Sequence, residues 1–322
     1  MSFPDNKLTV RSPGDFVAAV PYLLGFHPAD GSVVVIAVRD GRVVFAARCD
    51  LPAADAPTQH LLDLVGHLVP VLRRQQPIND LVLTGYGEAD HVDAALRTID
   101  EVLTGSGMVV REVLRVAGTR FFNLVCHDPA CCSPEGIPFD PSTSLVAVQA
   151  TAAGMVALPD RAAIAARFAP VSGAARDAIQ EATRVAIARL QATENTVGAR
   201  AVEAAGAQAL REALRDRARR LTDDEVAWLS VLLTRTSVRD LAVQLTEPHD
   251  RHVTLWVEVT RRADEALVPA PATVLAIAAW RCGDGALAGL AAERALQVNP
   301  DYQLAGLVLE ALRVGLPPST FA

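Results

Sequence analysis

The sequence has almost no lysine: Lys7 is the single lysine among 322 residues, and arginine supplies the other basic side chains. This bias is typical of a GC-rich coding sequence and carries no mechanism. Lys and Arg together number 30 against 37 Asp and Glu, so the formal net charge is −7. General binders of nucleic acid or of anionic membranes depend on a cationic surface. We therefore predict no nucleic-acid partner and no membrane partner.

Long apolar runs are also missing. Although 51% of the residues are hydrophobic, no uninterrupted apolar run approaches the roughly 20 residues that a membrane-spanning helix needs. Residues 1–7 lack the charged-then-apolar pattern of a secretion signal. The five cysteines are odd in number and lack the spacing of a disulfide framework. These features predict a cytoplasmic protein with reduced thiols.

Familiar catalytic motifs are absent from the sequence. It contains no P-loop, no G-x-S-x-G and no H-E-x-x-H, and Gly85-Tyr86-Gly87-Glu88 lacks the further glycine of a dinucleotide-binding fingerprint. A chain of this length can bury a sizeable core without disulfides. Whether the protein is an enzyme stays open at this point.

The first half of the chain alternates between strand and helix patterns. Ser12-Pro13-Gly14-Asp15 predicts a helix start, because serine can cap, proline suits the first helical position and aspartate suits the first turn. Asp40-Gly41, between two β-branched runs, predicts a hairpin. We predict strands over 32–38, 43–49, 80–86, 107–116 and 120–126, and helices over 58–74 and 89–104. Pro70 is expected to kink or shorten the first of these helices. The order predicts an α/β domain over residues 1–155, in which helices cover a mixed sheet.

Residues 156–322 have the composition of an all-helical domain, rich in Ala, Arg and Glu. Thr222-Asp-Asp-Glu225 is a capping box, in which the two outer side chains each accept a backbone amide of the helix start. We predict a long helical stretch over 173–221 that breaks near Asn195 or Gly206, and further helices over 249–263, 271–281, 285–297 and 301–313. Residues 144–153 fit either a helix or a strand.

The run from Gly285 to Tyr302 resembles the second helix of a tetratricopeptide repeat and its exit. Its small residues allow neighbouring helices to approach closely, and Asn299-Pro300 starts the next helix. An array would need several such units to bury its core. We therefore predict a helical bundle with one tetratricopeptide-like hairpin.

Residues 119–141 hold the candidate metal ligands. Cys126, His127, Cys131 and Cys132 offer the thiolate and imidazole donors that zinc prefers. The sequence predicts no cofactor, and zinc is the ion that this loop would hold if it bound one. Their spacing is unfavourable, because adjacent residues on a strand point in diverging directions. One alternative is a disulfide or redox pair between Cys126 and one of the other two cysteines. Others are a nucleophilic Cys126 with His27 as its base, or small buried side chains at a sheet edge.

Further candidate ligand-binding residues lie where other predicted elements end. His27 precedes the first strand, a position where loops line clefts, although packing of the helix end against the sheet is an alternative. Tyr86 and Glu88 follow the third strand. Arg48 and Asp50 flank a cysteine at a strand end, where alternation places both on one side and predicts an ion pair.

Several segments together resemble a known family. They are Arg11-Ser-Pro-Gly-Asp-Phe-Val-Ala-Ala-Val-Pro-Tyr-Leu-Leu-Gly-Phe-His-Pro28, Arg48-Cys-Asp-Leu-Pro52, residues 125–136 and residues 280–318. These are similar to an actinobacterial family catalogued as domain of unknown function 4192. The resemblance implies a soluble protein from a GC-rich actinobacterium, and it brings no activity and no catalytic residue.

Two classes of function follow from these observations. The first is a cytoplasmic interaction or regulatory module that docks protein partners through its helical half, with homo-oligomerisation through the Ala-rich helices as a further possibility. The alternative is an enzyme, or a small-ligand or metal-binding protein, with a cleft formed by the loops around His27, Tyr86 and Cys126–Cys132. The alternative depends on whether residue 27 and residues 126–132 meet.

Overall fold

The chain divides into two compact units. The structure, a computed structural model, describes residue 10 and residues 12–141, 144–215 and 220–321. The described residues of Met1–Arg161 and Val314–Thr320 form the first unit, and those of Ala162–Arg313 and Phe321–Ala322 form the second.

The first unit is built on a mixed β-sheet. Its elements in chain order are α1 Pro13–Leu24, β1 Ser32–Arg39, β2 Arg42–Asp50, α2 Thr58–Arg74, β3 Asp80–Tyr86, α3 Ala89–Gly105, β4 Val110–Ala117, β5 Arg120–Asn123, β6 Ile137–Pro138 and α4 Leu145–Ala152. Within the described residues, six strands form one sheet in the order β2-β1-β3-β4-β5-β6. Only the β3–β4 pair is parallel among these neighbours, because the α3 crossover returns the chain to the same end of the sheet. The predicted mixed sheet is confirmed.

Helices cover both faces of this sheet. On β1, Val33 and Val35 pack into a core with α2 and α3, whereas Val34 and Ile36 pack into a second core with α1 and α4. Side chains of a strand alternate between faces, so a strand buried on both sides has a continuous apolar run. The first unit therefore has three layers, with the sheet in the middle.

Local chemistry explains most of the element boundaries. Ser12 caps α1 as predicted, and Asp15 completes a capping box that the sequence analysis did not predict, with bonds of 3.3 and 3.0 Å. Asp40 and Gly41 adopt φ of 52° and 71° in the predicted hairpin turn. The helix predicted over 58–74 is confirmed as α2, and of the two effects expected of Pro70, a kink or an early end, the early end does not occur. Burial of its apolar side against the sheet offsets the one backbone hydrogen bond that a proline removes.

In the part of the second unit that the structure describes, all regular elements are helices. They are α5 Arg161–Ala166, α6 Ala174–Val197, α7 Ala199–Leu214, α8 Asp223–Leu232, α9 Thr236–Leu245, α10 Asp250–Arg262, α11 Pro269–Arg281, α12 Gly285–Val298 and α13 Gln303–Arg313. The predicted break near Asn195 falls at Gly198, whose φ is 92°, and Gly206 lies inside α7. Every residue of α11 from Pro269 to Trp280 is buried, so this helix forms the centre of the unit.

The structure decides between a helix and a strand for residues 144–153. Residues 145–152, which fitted a helix or a strand, form α4, because the Ser144 hydroxyl accepts the amide of Ala147 and caps the helix. None of the helices that the structure describes combines the length and the apolar character that crossing a bilayer requires.

Candidate metal and thiol site

The cysteine loop begins where the side chain of Asn123 ends β5. Its amide oxygen accepts the backbone amides of Val125 at 3.1 Å and Cys126 at 3.2 Å. Its amide nitrogen donates to the carboxylate of Glu112, on β4, at 2.7 Å. An asparagine that captures amides just beyond itself competes with the strand ladder. The prediction that the strand reaches residue 126 is therefore wrong.

A second turn, at Asp128, brings Cys131 and Cys132 back toward Cys126. The carbonyl oxygen of Asp128 accepts the amides of Cys131 at 3.1 Å and Cys132 at 2.7 Å. Its carboxylate accepts the amide of Ala130 at 2.9 Å. Because the loop is made of turns and not of a strand, the expected divergence of adjacent side chains does not prevent them from converging.

The three cysteine sulfurs form a triangle. The Sγ atoms of Cys126, Cys131 and Cys132 all lie within 4.8 Å of one another. Sulfurs bound tetrahedrally to one zinc ion, at about 2.3 Å from it, are about 3.8 Å apart, so each side of the triangle needs to contract by at most about 1 Å. Within the described ranges this is the group that could hold a metal ion. His127 is exposed and is not one of its members.

Hydrogen bonds inside the triangle separate the acidities of the thiols. A hydrogen bond from the Cys132 thiol, helped by one from the Asp128 backbone, lowers the pKa of Cys126. Burial and the hydrogen bonds to its two neighbours raise the pKa of Cys132 to about 12. Cys126 is therefore the more acidic of these two thiols, and Cys132 is its proton donor.

A cleft of about 670 Å³ opens beside the thiols, and all three cysteines line it. Part of its wall is apolar and comes from Phe121, Ile137 and Phe139, whereas Asp15 at the start of α1 and Glu112 on β4 provide carboxylates. A small molecule could thus contact apolar surface, carboxylates and sulfur together.

One family model matches this chain. Its description is Domain of unknown function (DUF4192), and it matches residues 13–319. The chain belongs to the DUF4192 family. No curated protein and no solved structure matches it. The matched range of this DUF4192 protein contains the thiol loop, and the family resemblance predicted from the sequence is confirmed.

The other candidate residues of this DUF4192 protein lie at the opposite end of the strands. Tyr86 pairs with Val116, near the end of β4. Asn123 pairs with Leu114, and because β5 is antiparallel to β4, the chain beyond Asn123 runs toward the beginning of β4. The register therefore separates Tyr86 from the cysteines along the strands. Tyr86 is buried, burial raises the pKa of its hydroxyl, and that hydroxyl has no hydrogen-bond partner in the described part of the chain.

The His27 loop lies at the Tyr86 end of the sheet. The amide of Gly31 in that loop donates to the carbonyl of Tyr86 at 2.8 Å. The side chain of His27 is exposed, and Glu88 is the exposed residue that precedes α3. None of the three predicted residues His27, Tyr86 and Glu88 is among the described residues that line the thiol cleft. The structure does not bring His27 to Cys126.

Arg48 and Asp50 form the predicted ion pair, with 2.6 Å between the guanidinium and the carboxylate. Asp50 pairs with Ser32 at the end of β2, which again is the Tyr86 end of the sheet. The side chain of Asp50 is 77% exposed. The Arg48 side chain is only 17% exposed, so the pair leaves its carboxylate, and not its guanidinium, open to solvent.

Sequence reasoning did not include Glu112, Asn123 or Asp128 among the site residues. Asn123 and Asp128 carry a local signal, because Asn and Asp side chains form turns with the amides that follow them. Glu112 carries none, since only the register of β4 against β5 places it beside Asn123.

Proposed function

We propose that the first unit of this DUF4192 protein binds a metal ion, with zinc as the favoured ion, through Cys126, Cys131 and Cys132. The observation that carries this proposal is the sulfur triangle, with all three Sγ atoms within 4.8 Å of one another. Thiolates are soft donors that zinc accepts readily. The turns at Asn123 and Asp128 hold the backbone of the ligands, so little further ordering is needed on binding. A cytoplasmic location, where thiols stay reduced, belongs to this proposal.

Three protein ligands leave one position of a tetrahedral zinc ion vacant, which is typical of sites that bind a water or a small ligand. We place that position toward the cleft that the three cysteines line. The proposal is thus the ligand-binding alternative of the sequence analysis. Its cleft lies at the thiol loop and does not include His27 or Tyr86. Asp15, Glu112 and Asp140 are carboxylate residues that line this cleft.

Metal content tests the proposal directly. The full chain, purified without chelators, is analysed by inductively coupled plasma mass spectrometry and titrated with Zn²⁺ against a chromophoric chelator. We expect one zinc per chain, lost in Cys126→Ser, Cys131→Ser and Cys132→Ser. Cys49→Ser is the matched control, because Cys49 is a partly buried thiol on β2, at the other edge of the sheet. Absence of stoichiometric metal in both measurements on the wild-type chain would sink the proposal.

A second proposal is protein docking through the helical unit, in which α12 is the second helix of the tetratricopeptide-like hairpin and α13 follows it. It is favoured by the exposure of Leu307, 64% accessible on α13, while Ala305 and Val308 of the same helix are buried. An exposed leucine on a helix offers an apolar anchor to a partner.

Leu307→Arg in the full chain is expected to abolish recovery of a partner from a lysate of the source organism, whereas Glu310→Gln on the same helix retains it. Equal recovery by both variants contradicts the proposal, and light scattering on the same samples tests the predicted homo-oligomer.

A further inference from the structure

We propose that the thiol cluster is also an oxidation site, at which hydrogen peroxide converts Cys126 and Cys132 into a disulfide. This inference goes beyond metal binding, because it concerns the metal-free protein and stands on the arrangement of the thiols alone. All five cysteines of the chain are free in the structure, so the cluster is in its reduced form.

The contacts of Cys126 point to Cys132 as its partner. The Cys126 thiol is hydrogen-bonded to both Cys132 and Cys131, and the bond with Cys132 has the larger effect on its pKa, within a triangle whose sulfurs all lie within 4.8 Å. The neighbouring residues Cys131 and Cys132 do not suit a bridge, because consecutive Cα atoms are about 3.8 Å apart and disulfides usually need at least about 4.4 Å. Any bridge in the cluster therefore includes Cys126.

Cys131 has a different place in the cluster. It is exposed, whereas Cys126 and Cys132 are partly buried. Once Cys126 and Cys132 are joined, Cys131 remains as a free thiol next to the bond. An external dithiol that attacks the disulfide, and is itself oxidised to a disulfide, restores the two thiols.

Access also distinguishes the cluster from the remaining cysteines. All three cysteines of the cluster line the cleft, and its volume of about 670 Å³ admits a molecule as small as peroxide. Cys49 packs against the core on one face of the sheet, on the edge strand β2. Cys282 lies in the second unit. Both therefore serve as internal references for the rate of oxidation.

The reaction balances with peroxide as the only added reagent. A thiolate of the pair attacks one peroxide oxygen, the O–O bond breaks, and the departing hydroxide takes up a proton to become water, which leaves a sulfenic acid. The second thiol attacks the sulfenic sulfur, the S–O bond breaks, and a second water leaves as the S–S bond forms. Two thiols lose two hydrogens in total, and one peroxide is reduced to two waters.

Peptide mapping of the full chain tests the pairing. Reduced, chelator-treated protein is exposed to equimolar hydrogen peroxide, and samples are quenched over time with an alkylating reagent. Trypsin leaves all three cysteines in one peptide, since no Arg or Lys lies between Arg120 and Arg161. A protease that cleaves before aspartate then separates Cys126 from Cys131 and Cys132 at Asp128. A disulfide keeps the two pieces joined, at about 2 Da below their summed reduced mass.

We expect the joined pieces to form at least about 10-fold faster than Cys49 or Cys282 loses its reactivity toward the alkylating reagent. The link should persist in Cys131→Ser and disappear in Cys132→Ser, where a sulfenic acid on Cys126 becomes trappable by dimedone. Oxidation of Cys126 no faster than of the two reference cysteines would overturn the proposal. So would a link that is lost in Cys131→Ser and retained in Cys132→Ser.

Zinc separates this inference from the metal-binding proposal. If both hold, one equivalent of Zn²⁺ slows formation of the link. If the link forms at the same rate with zinc, the oxidation site stands and the metal proposal fails. If zinc binds but the metal-free chain forms no link, the oxidation site is overturned and the metal proposal stands.

Discussion

At the scale of single residues, two residues without thiols determine what the cysteines can do. The side-chain oxygen of Asn123 accepts the amide of Cys126, and the backbone carbonyl of Asp128 accepts the amides of Cys131 and Cys132. Groups that orient ligands without touching the ion typically change metal affinity by 10-fold or more when removed. The turns are therefore as much a part of the site as the sulfurs.

Replacing Asn123 by alanine should weaken zinc binding by about 10-fold with all three thiols still present. The variant loses the two amide contacts of the turn and the hydrogen bond to Glu112. Competition with a chromophoric chelator measures the change. Asn299→Ala is the control, because Asn299 makes the same kind of turn contact, with the amide of Asp301, in the second unit. Equal affinity in both variants would contradict a positioning role for Asn123.

Zinc affinity should fall as the pH is lowered. Binding needs thiolates, and the thiol of Cys132, whose pKa is raised to about 12, keeps its proton through the neutral range in the metal-free chain. At least one proton is then displaced by the ion, so affinity should drop by about 10-fold or more for each unit of pH. Chelator competition at about pH 6.5 and about pH 7.5 checks this. A Kd that is constant across this interval would argue against Cys132 as a ligand.

At the scale of elements, one glycine sets the distance between two helices of the second unit. A Cβ on Gly206 of α7 would lie 2.5 Å from a methyl carbon of Val238 on α9. Real side chains do not approach so closely, so the helices pack at this distance only without that carbon. Gly289 of α12 has no such neighbour, since nothing lies within 4 Å of the position of its Cβ.

Replacing each of the two glycines by alanine should change the free energy of unfolding in opposite directions. Gly206→Ala should lower the free energy of unfolding by about 1–3 kcal/mol, because the helices must separate or the valine must move. Gly289→Ala should raise it by about 0.5–1 kcal/mol, because alanine favours the helix and meets no obstacle. Urea denaturation followed by circular dichroism measures both. Stabilisation by both substitutions would show that α7 and α9 are not in close contact.

At the scale of the whole molecule, the first unit combines the first half of the described chain with a short segment near its other end. Val314–Thr320 belongs to it together with the sheet. Arg74 and Gln75, at the end of α2, donate side-chain hydrogen bonds to the carbonyls of Val314 at 2.6 Å and Gly315 at 2.7 Å. A Cβ on Gly315 would lie 2.5 Å from a methyl carbon of Val71, and φ of this residue is +65°. The segment is thus closely fitted to the end of α2.

Ending the chain after Arg313 should loosen the end of α2. The truncation removes the two hydrogen bonds and uncovers Val71, so amide hydrogens near residues 71–75 should exchange faster. Hydrogen exchange read by mass spectrometry checks this, with α3, on the same face of the sheet, as the internal control. Unchanged exchange in α2 would mean that the segment contributes nothing to its stability.

The sequence by itself determined the features that depend on residues close together in the chain. The Ser12–Asp15 cap and the Asp40-Gly41 turn rest on contacts that span three residues or fewer, and the strands and helices follow the period of their apolar side chains. The cysteine loop was recognised as the candidate metal site for the same local reason, since its donor types lie within seven residues. The prediction that its spacing is unfavourable is wrong, because it assumes a strand up to Cys126, and β5 ends at Asn123.

Only the tertiary structure decided which candidates meet. The register of β5 against β4 brings Glu112 to Asn123, and the turn that follows starts the sulfur triangle. The antiparallel direction of β5 carries the cysteines toward one end of the strands, while Tyr86 and the His27 loop lie at the other. Strand order and direction arise from pairing across long separations in the chain, which local patterns do not encode. The chemistry of the loop therefore depends on its three thiols and on neighbours that only folding supplies.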